Sequence, residues 1–236
     1  MRLLLLVLAS VACIAAANPS RKVKAVSTDG EATIYVMGNF SRGFNVAYNA
    51  TLRTAPGNRA NTFIGIMLIG RQNPGPGIEL GLTRGAGNAH DLRVFISVNP
   101  RHGENIYTSF PAACVPACEL ILRGDRYGLY AFVLTEDGIR KAGTWSRADF
   151  GFVRPYVQLN GEVTRPGDGI VGALMPMRAV VDSKSLPAPT CAFTTRGIEP
   201  RRDPGGTLTF SGTFANAAPA SFIDLRNGST VNRCPR

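Results

Sequence analysis

The sequence predicts an all-β protein: a two-sheet antiparallel sandwich with a small disulfide-stapled C-terminal β appendage. Three observations carry this. Short apolar or alternating segments recur along the chain between clusters rich in Gly, Pro, Asn and Asp, which is how strands joined by tight turns are written. No window of helical length holds an i, i+3, i+4, i+7 apolar stripe free of Gly and Pro. The 236 residues include 26 glycines and 16 prolines, and are 44% hydrophobic and 18% charged. That is enough apolar material for one sizeable core, and it excludes a disordered chain.

The first segment lies outside this fold. Arg2 is followed by the apolar run Leu3 to Ala17, and Ala15-Ala16-Ala17 places small residues before Asn18 and Pro19. A basic start, an apolar centre and a small-residue cleavage site describe a secretory signal peptide over residues 1–17. A membrane anchor is the alternative, but the run falls short of the roughly 20 residues that cross a bilayer. No later segment is long and apolar enough to span. Cleavage removes Arg2 and Cys13, leaving a net charge of +9 and four cysteines. An even number of cysteines in an oxidising compartment reads as two disulfides. Cys114–Cys118 and Cys191–Cys234 are favoured over the two crossed pairings because each pair is local to its own segment. Cys114-x-x-x-Cys118 could also form half of a metal site, but only His90 and His102 remain as soft partners, so no metal or cofactor is expected.

The elements follow in order. Ala32 to Met37 is a short apolar strand and Phe44 to Arg53 alternates loosely. Thr62 to Ile69 is an apolar run, Ile78 to Leu82 is short, and Leu92 to Val98 alternates. Cys118 to Arg123, Tyr127 to Leu134, Phe152 to Leu159, Gly169 to Asp182, Thr207 to Phe214 and Phe222 to Leu225 complete the set. Period two puts Leu92, Val94, Ile96 and Val98 on one face, with Arg93, Phe95, Ser97 and Asn99 on the other. It likewise turns Leu208, Phe210 and Phe214 inward. Tyr127 to Leu134 is apolar on both faces and reads as a central, doubly covered strand. Pro155 lacks an N–H, which points to an edge position for its strand or to that N–H position facing solvent. Ser183 to Thr190 holds Pro187 and Pro189 and reads as an extended connector. The organisation is therefore a signal peptide (1–17), a β-sandwich domain (18–182), a Pro-rich connector (183–190) and a stapled β segment (191–236), the last packed on the sandwich or lightly tethered to it.

A glycine-turned strand, the alternating Leu92 to Val98, and then Cys118-Glu-Leu-Ile-Leu-Arg-Gly-Asp-Arg-Tyr-Gly-Leu-Tyr-Ala-Phe-Val133 follow one another in a rhythm that resembles the concanavalin A-like jelly rolls. That superfamily includes laminin-G-type modules, legume-type lectins and some glucanases. The resemblance covers roughly residues 40–182 and implies a jelly-roll sandwich in which a Gly/Asp turn joins two strands of one sheet. The chain departs from the superfamily's diagnostic motifs. It has no Glu-x-Asp-x-x-Glu glucanase strand and no lectin calcium cluster.

Other chemistries have little support. Gly-x-Ser-x-Gly and Walker-type loops are absent. Arg101-His102-Gly103-Glu104 reads as a solvated turn. Glu79, Glu119 and Glu162 lie in or beside strands and are the candidate acid/base carboxylates of an enzyme. The candidate ligand surface is Arg154, Tyr156, Gln158 and Asn160 on one face of their strand, with Trp145, the only tryptophan, just upstream. A phenol ring beside planar amides and a guanidinium suits sugar rings and their hydroxyls. Asn39, Asn49 and Asn227 head N-glycosylation sequons. The basic balance is mostly arginine, which pairs bidentately with anions, though the arginines are scattered rather than clustered. The expectation is a secreted (in a bacterium, periplasmic), non-enzymatic module that binds a glycan or acidic glycoconjugate, its partner a glycan or an anionic extracellular surface, with no nucleic-acid partner. The alternatives are a polysaccharide hydrolase or lyase on the same fold, and an extracellular structural or interaction protein.

Overall fold

A computed structural model describes residues 30–38, 42–54, 57–59, 61–70, 76–85, 92–112, 117–135, 138–152 and 155–234. The signal segment expected over residues 1–17 lies outside them. The early strands are β1 (Gly30–Gly38), β2 (Phe44–Thr54), β3 (Thr62–Ile69), β4 (Gly77–Arg84), β5 (Leu92–Asn99) and β6 (Ile106–Pro111). Next come β7 (Cys118–Gly124), β8 (Gly128–Thr135), β9 (Gly138–Ser146), β10 (Tyr156–Val163), β11 (Gly169–Val181) and β12 (Lys184–Ser185). The chain ends with β13 (Cys191–Thr194), β14 (Ile198–Arg202), β15 (Leu208–Thr213), β16 (Ser221–Asp224) and β17 (Thr230–Val231). The one helical turn among the described residues is the 3₁₀ turn Arg147–Asp149, capped by Ser146.

Two antiparallel sheets result. The front sheet has nine strands in the order β17-β16-β13-β1-β10-β3-β4-β5-β6. The back sheet has eight in the order β14-β15-β11-β2-β7-β8-β9, and β12 pairs with β11. The inward half of each strand fills the space between them. Ile34, Ile66, Leu80, Ile96 and Leu159 come from the front sheet. Val46, Tyr48, Leu120, Val133 and Leu174 come from the back, and all are buried in one cluster. Each such side chain contributes roughly 1.5–3 kcal/mol by leaving water. The Asp125 turn behaves as the resemblance implied. Its carboxylate accepts the N–H groups of Tyr127 and Gly128, which lowers its pKa, and joins β7 to β8 within the back sheet.

Two expectations about strand position are corrected. β10 is central, between β1 and β3, and not an edge strand. Pro155 immediately precedes it, so the missing N–H interrupts no ladder. β8 lies between β7 and β9, but its outward residues Tyr130, Phe132 and Leu134 are only half-buried, and no layer of the described residues lies over them.

The C-terminal segment is packed on the sandwich at the level of the ladders. β13 pairs with β1 and carries β16, while β15 pairs with β11 and carries β14. Its Ala192, Ile198, Leu208, Phe210 and Phe214 join the common core. The backbone of β10 lies against Phe210: a Cβ on Gly161 would sit 2.6 Å from that ring.

Cys191 and Cys234 are bonded, with Cα atoms 5.5 Å apart. This excludes both crossed pairings. Cys118 is also disulfide-bonded, and its expected partner Cys114 lies outside the described residues. The 191–234 bond closes a loop over the last strands and restricts the unfolded chain. Replacing both cysteines with serine should lower stability by about 2–4 kcal/mol, measured in urea as a fall in the midpoint with a steeper slope, since the uncrosslinked chain exposes more surface on unfolding.

Candidate functional site

The outward face of the front sheet is where the sequence-predicted residues meet. Strand alternation directs Val157 and Leu159 into the core, so Tyr156, Gln158, Asn160 and Glu162 point the other way. Three cross-strand rows run over this face. The first is Gln158, Met67, Glu79, Ser97 and Tyr107. The second is Thr33, Asn160, Gly65, Gly81, Phe95 and Ser109. The third is Glu31, Glu162, Phe63, Thr83 and Arg93.

The face is recessed. Gln158 and Asn160 are only 7% and 5% exposed although they point away from the core. Gly65 and Gly81 make its floor: a Cβ on Gly81 would meet Ile64 O at 2.5 Å and Phe95 Cε1 at 2.6 Å. The Phe95 ring lies in that space. It meets Phe63 edge-on at 5.3 Å and stacks beneath Tyr107 at 6.2 Å. Tyr107 is the exposed end of this aromatic run. Arg93 is held beside it by Nε donating to Ser109 Oγ at 3.0 Å and Nη2 donating to Ser109 O at 3.1 Å. Gln158 Nε2 donates to Met67 Sδ at 3.2 Å. Asn160 Oδ1 and Thr83 Oγ1 are buried acceptors without a hydrogen-bond partner among the described residues.

Glu79 is the chemically distinctive group. Burial, reinforced by the charge of Glu31, raises its pKa from 4.5 to about 7. Burial also raises the Tyr107 phenol, which the Arg93 charge partly offsets and the Glu79 charge reinforces. Glu79, Glu31, Arg93 and Tyr107 therefore act on one another across the face. A carboxyl that titrates near neutrality is suited to giving or taking a proton.

Tyr156, Gln158, Asn160, Glu79 and Glu162 thus share one face. Trp145 does not join them. It lies on β9 in the back sheet, opposite Leu129, half-buried against the core and folded over Gly143. Glu119 is on the outward face of the back sheet, opposite Asn49. Arg154 and Asn39 lie outside the described residues. Asn49 is half-buried in β2 and Asn227 is exposed in the turn after β16. Sequence reading did not select Glu31, Phe63, Arg93, Phe95, Tyr107 and Ser109. The alternation of Leu92 to Asn99 already placed Arg93, Phe95 and Ser97 on one face and was the available signal.

No protein-family model matches the chain, and no curated protein matches its sequence. Among solved structures, similarity is found at TM-scores under 0.5. Scytalido-glutamic peptidase is 8% identical with a TM-score of 0.45, over 80% of this chain and 99% of that one. A legume lectin-like domain from Entamoeba histolytica is 6% identical with a TM-score of 0.40, over 84% and 80%. A family 16 glycoside hydrolase endo-glucanase from Bacteroides ovatus is 13% identical with a TM-score of 0.35, over 57% and 66%.

The Glu79 pKa has a consequence for stability. In the unfolded chain this carboxyl ionises near 4.5, and in the fold near 7. Through that window the unfolded chain releases its proton first, so the fold loses stability as pH rises. The loss should reach about 2–3 kcal/mol by pH 8. Urea unfolding at pH 5 and pH 8 should show this slope in the native protein and its disappearance in Glu79→Gln.

Proposed function

We propose that the protein is a secreted glycan-binding module whose binding surface is the outward face of the front sheet. The aromatic run Phe63, Phe95 and Tyr107 beside the recessed amides of Gln158 and Asn160 carries this reading. The aromatic run offers a shelf to the C–H faces of sugar rings, and planar amides offer fixed donors and acceptors to hydroxyls. The buried acceptors Asn160 Oδ1 and Thr83 Oγ1 gain hydrogen bonds from such hydroxyls. The disulfides support an oxidising compartment. The charge of the described face is carried by Glu31, Glu79 and Glu162 against Arg93, which suits a neutral glycan better than an acidic one.

A glycan array read at low and physiological salt tests this. Neutral glycans should bind with little salt dependence, because no screened charge pair holds them. Tyr107→Ala should weaken binding by about 1–2 kcal/mol, and stability should stay within about 0.5 kcal/mol. Absence of binding to every neutral glycan in both conditions overturns the reading.

The raised pKa of Glu79 favours a second reading, a hydrolase or lyase in which this carboxyl moves the proton. Glu79→Gln should then keep glycan binding and abolish product release. If the native protein releases neither reducing ends nor unsaturated ends from any glycan it binds, the enzymatic version falls and the binding reading stands.

A further inference from the structure

The outward face of the back sheet is unlike that of the front. In an antiparallel sheet with one face on the core, the other normally alternates to polar residues for water. Here the rows read differently. One runs Met175, Asn49, Glu119, Leu134 and Ile139; the next runs Arg178, Ala47, Ile121, Phe132 and Lys141. Ile121, Phe132 and Leu134 thus form an apolar band on the neighbouring strands β7 and β8. Among the described residues, the exposed large hydrophobic side chains number seven, and Ile139, Val171, Met175 and Met177 all lie on this face, between 43% and 71% exposed. Met177 accepts a hydrogen bond from Asn49 Nδ2 at 3.2 Å and borders a recess of about 340 Å³ shared with Ala47, Ile121 and Arg178.

The charges around the band have one dominant sign. Arg53 stands beside Val171 at one side, Arg123 and Arg178 at the other, and Lys141 on the edge strand, all exposed. Glu119, half-buried, is the single carboxylate within these two rows; beyond them Glu199 lies in the row of Arg53 and Val171, where it pairs with Arg201, and Asp125 stands by Arg123. An apolar centre with a cationic margin suits a phase that is oily beneath a negatively charged surface. A second copy of this face would bring like charges together. A soluble polyanion would have no use for exposed methionine, isoleucine and valine.

We propose that this face docks the protein onto an anionic lipid surface. The margin cations meet the headgroups, while Met175, Met177, Ile139 and Val171 enter the boundary beneath them. The front face then points away from the membrane, so the inference stands independently of what that face binds.

Cosedimentation of the full protein with vesicles tests it. Vesicles of pure phosphatidylcholine should leave it in solution, and vesicles with about a third phosphatidylglycerol should carry it down, less so at high salt. Arg123→Glu with Arg178→Glu should reduce the bound fraction about tenfold or more. Met175→Asp with Met177→Asp should do the same, and both pairs should keep the native thermal midpoint because all four side chains are exposed. Several outcomes overturn the proposal. One is equal behaviour with both vesicle types. Another is full binding by the Met175→Asp, Met177→Asp protein together with retention on a soluble polysulfate, which would mean that charge alone is read. A third is a dimer in sedimentation that those two substitutions dissociate while vesicles capture nothing. A glycan found by mass on Asn49 of the protein secreted from a eukaryotic host would place sugar across the band and overturn it as well.

Discussion

Burial of the inward half of every strand between the two sheets holds the rest of the molecule in place. Ile66, Leu80, Ile96 and Leu159 face Tyr48, Leu120, Val133 and Leu174, and none of these can turn outward without opening the core. Because the side-chain period of a strand is two, fixing these residues also fixes the direction of every residue between them. Gln158 and Asn160 lie on the outward face because Val157 and Leu159 are inside. Glu79 stands between Met67 and Ser97 because Ile78 and Leu80 are inside. A slip of one residue in β4 or β10 would bury the carboxyls and expose the aliphatics.

The two outward faces inherit this rigidity and differ in kind. The front face collects carboxylates, amides and an aromatic run over a glycine floor, and it is recessed enough to perturb Glu79. The back face collects exposed aliphatic side chains and cations. A protein of net charge +10 therefore carries its candidate ligand surface where its described charge is mostly negative. The overall charge says little about that ligand, which is why arginine content read along the sequence points towards an acidic glycan and the geometry of the front face does not.

What the sequence shows depends on how local the cause is. Thr62–Ile69 is legible to the residue because β3 is a continuous apolar run between turns. β10 begins four residues later than its apolar pattern suggests, since Pro155 precedes the strand and does not sit within it. β6 and β9 escape notice because edge strands stay exposed and hold charged or polar residues, Arg140 and Lys141 among them. The site is harder still. Trp145 is eleven residues from Tyr156 in sequence but on the other sheet, whereas Glu31 pairs directly with Glu162 through strands that nothing local connects. Alternation tells which face a residue takes, and it is silent on which strands lie side by side.

The same long-range pairing governs when the molecule can fold. β1, near the start of the chain, lies between β10 and β13, with Ala32 opposite Thr194. β2 lies between β7 and β11, and β11 is bordered in turn by β15. An emerging chain could close the β3 to β6 meander early and set β7 on β2 midway, but β1 must wait, unpaired, for β10 and β13. Topologies of this kind fold slowly and expose strand edges in the meantime. For a chain that crosses a membrane before it folds, this delay is an advantage: the polypeptide cannot complete its sandwich until nearly all of it has passed through.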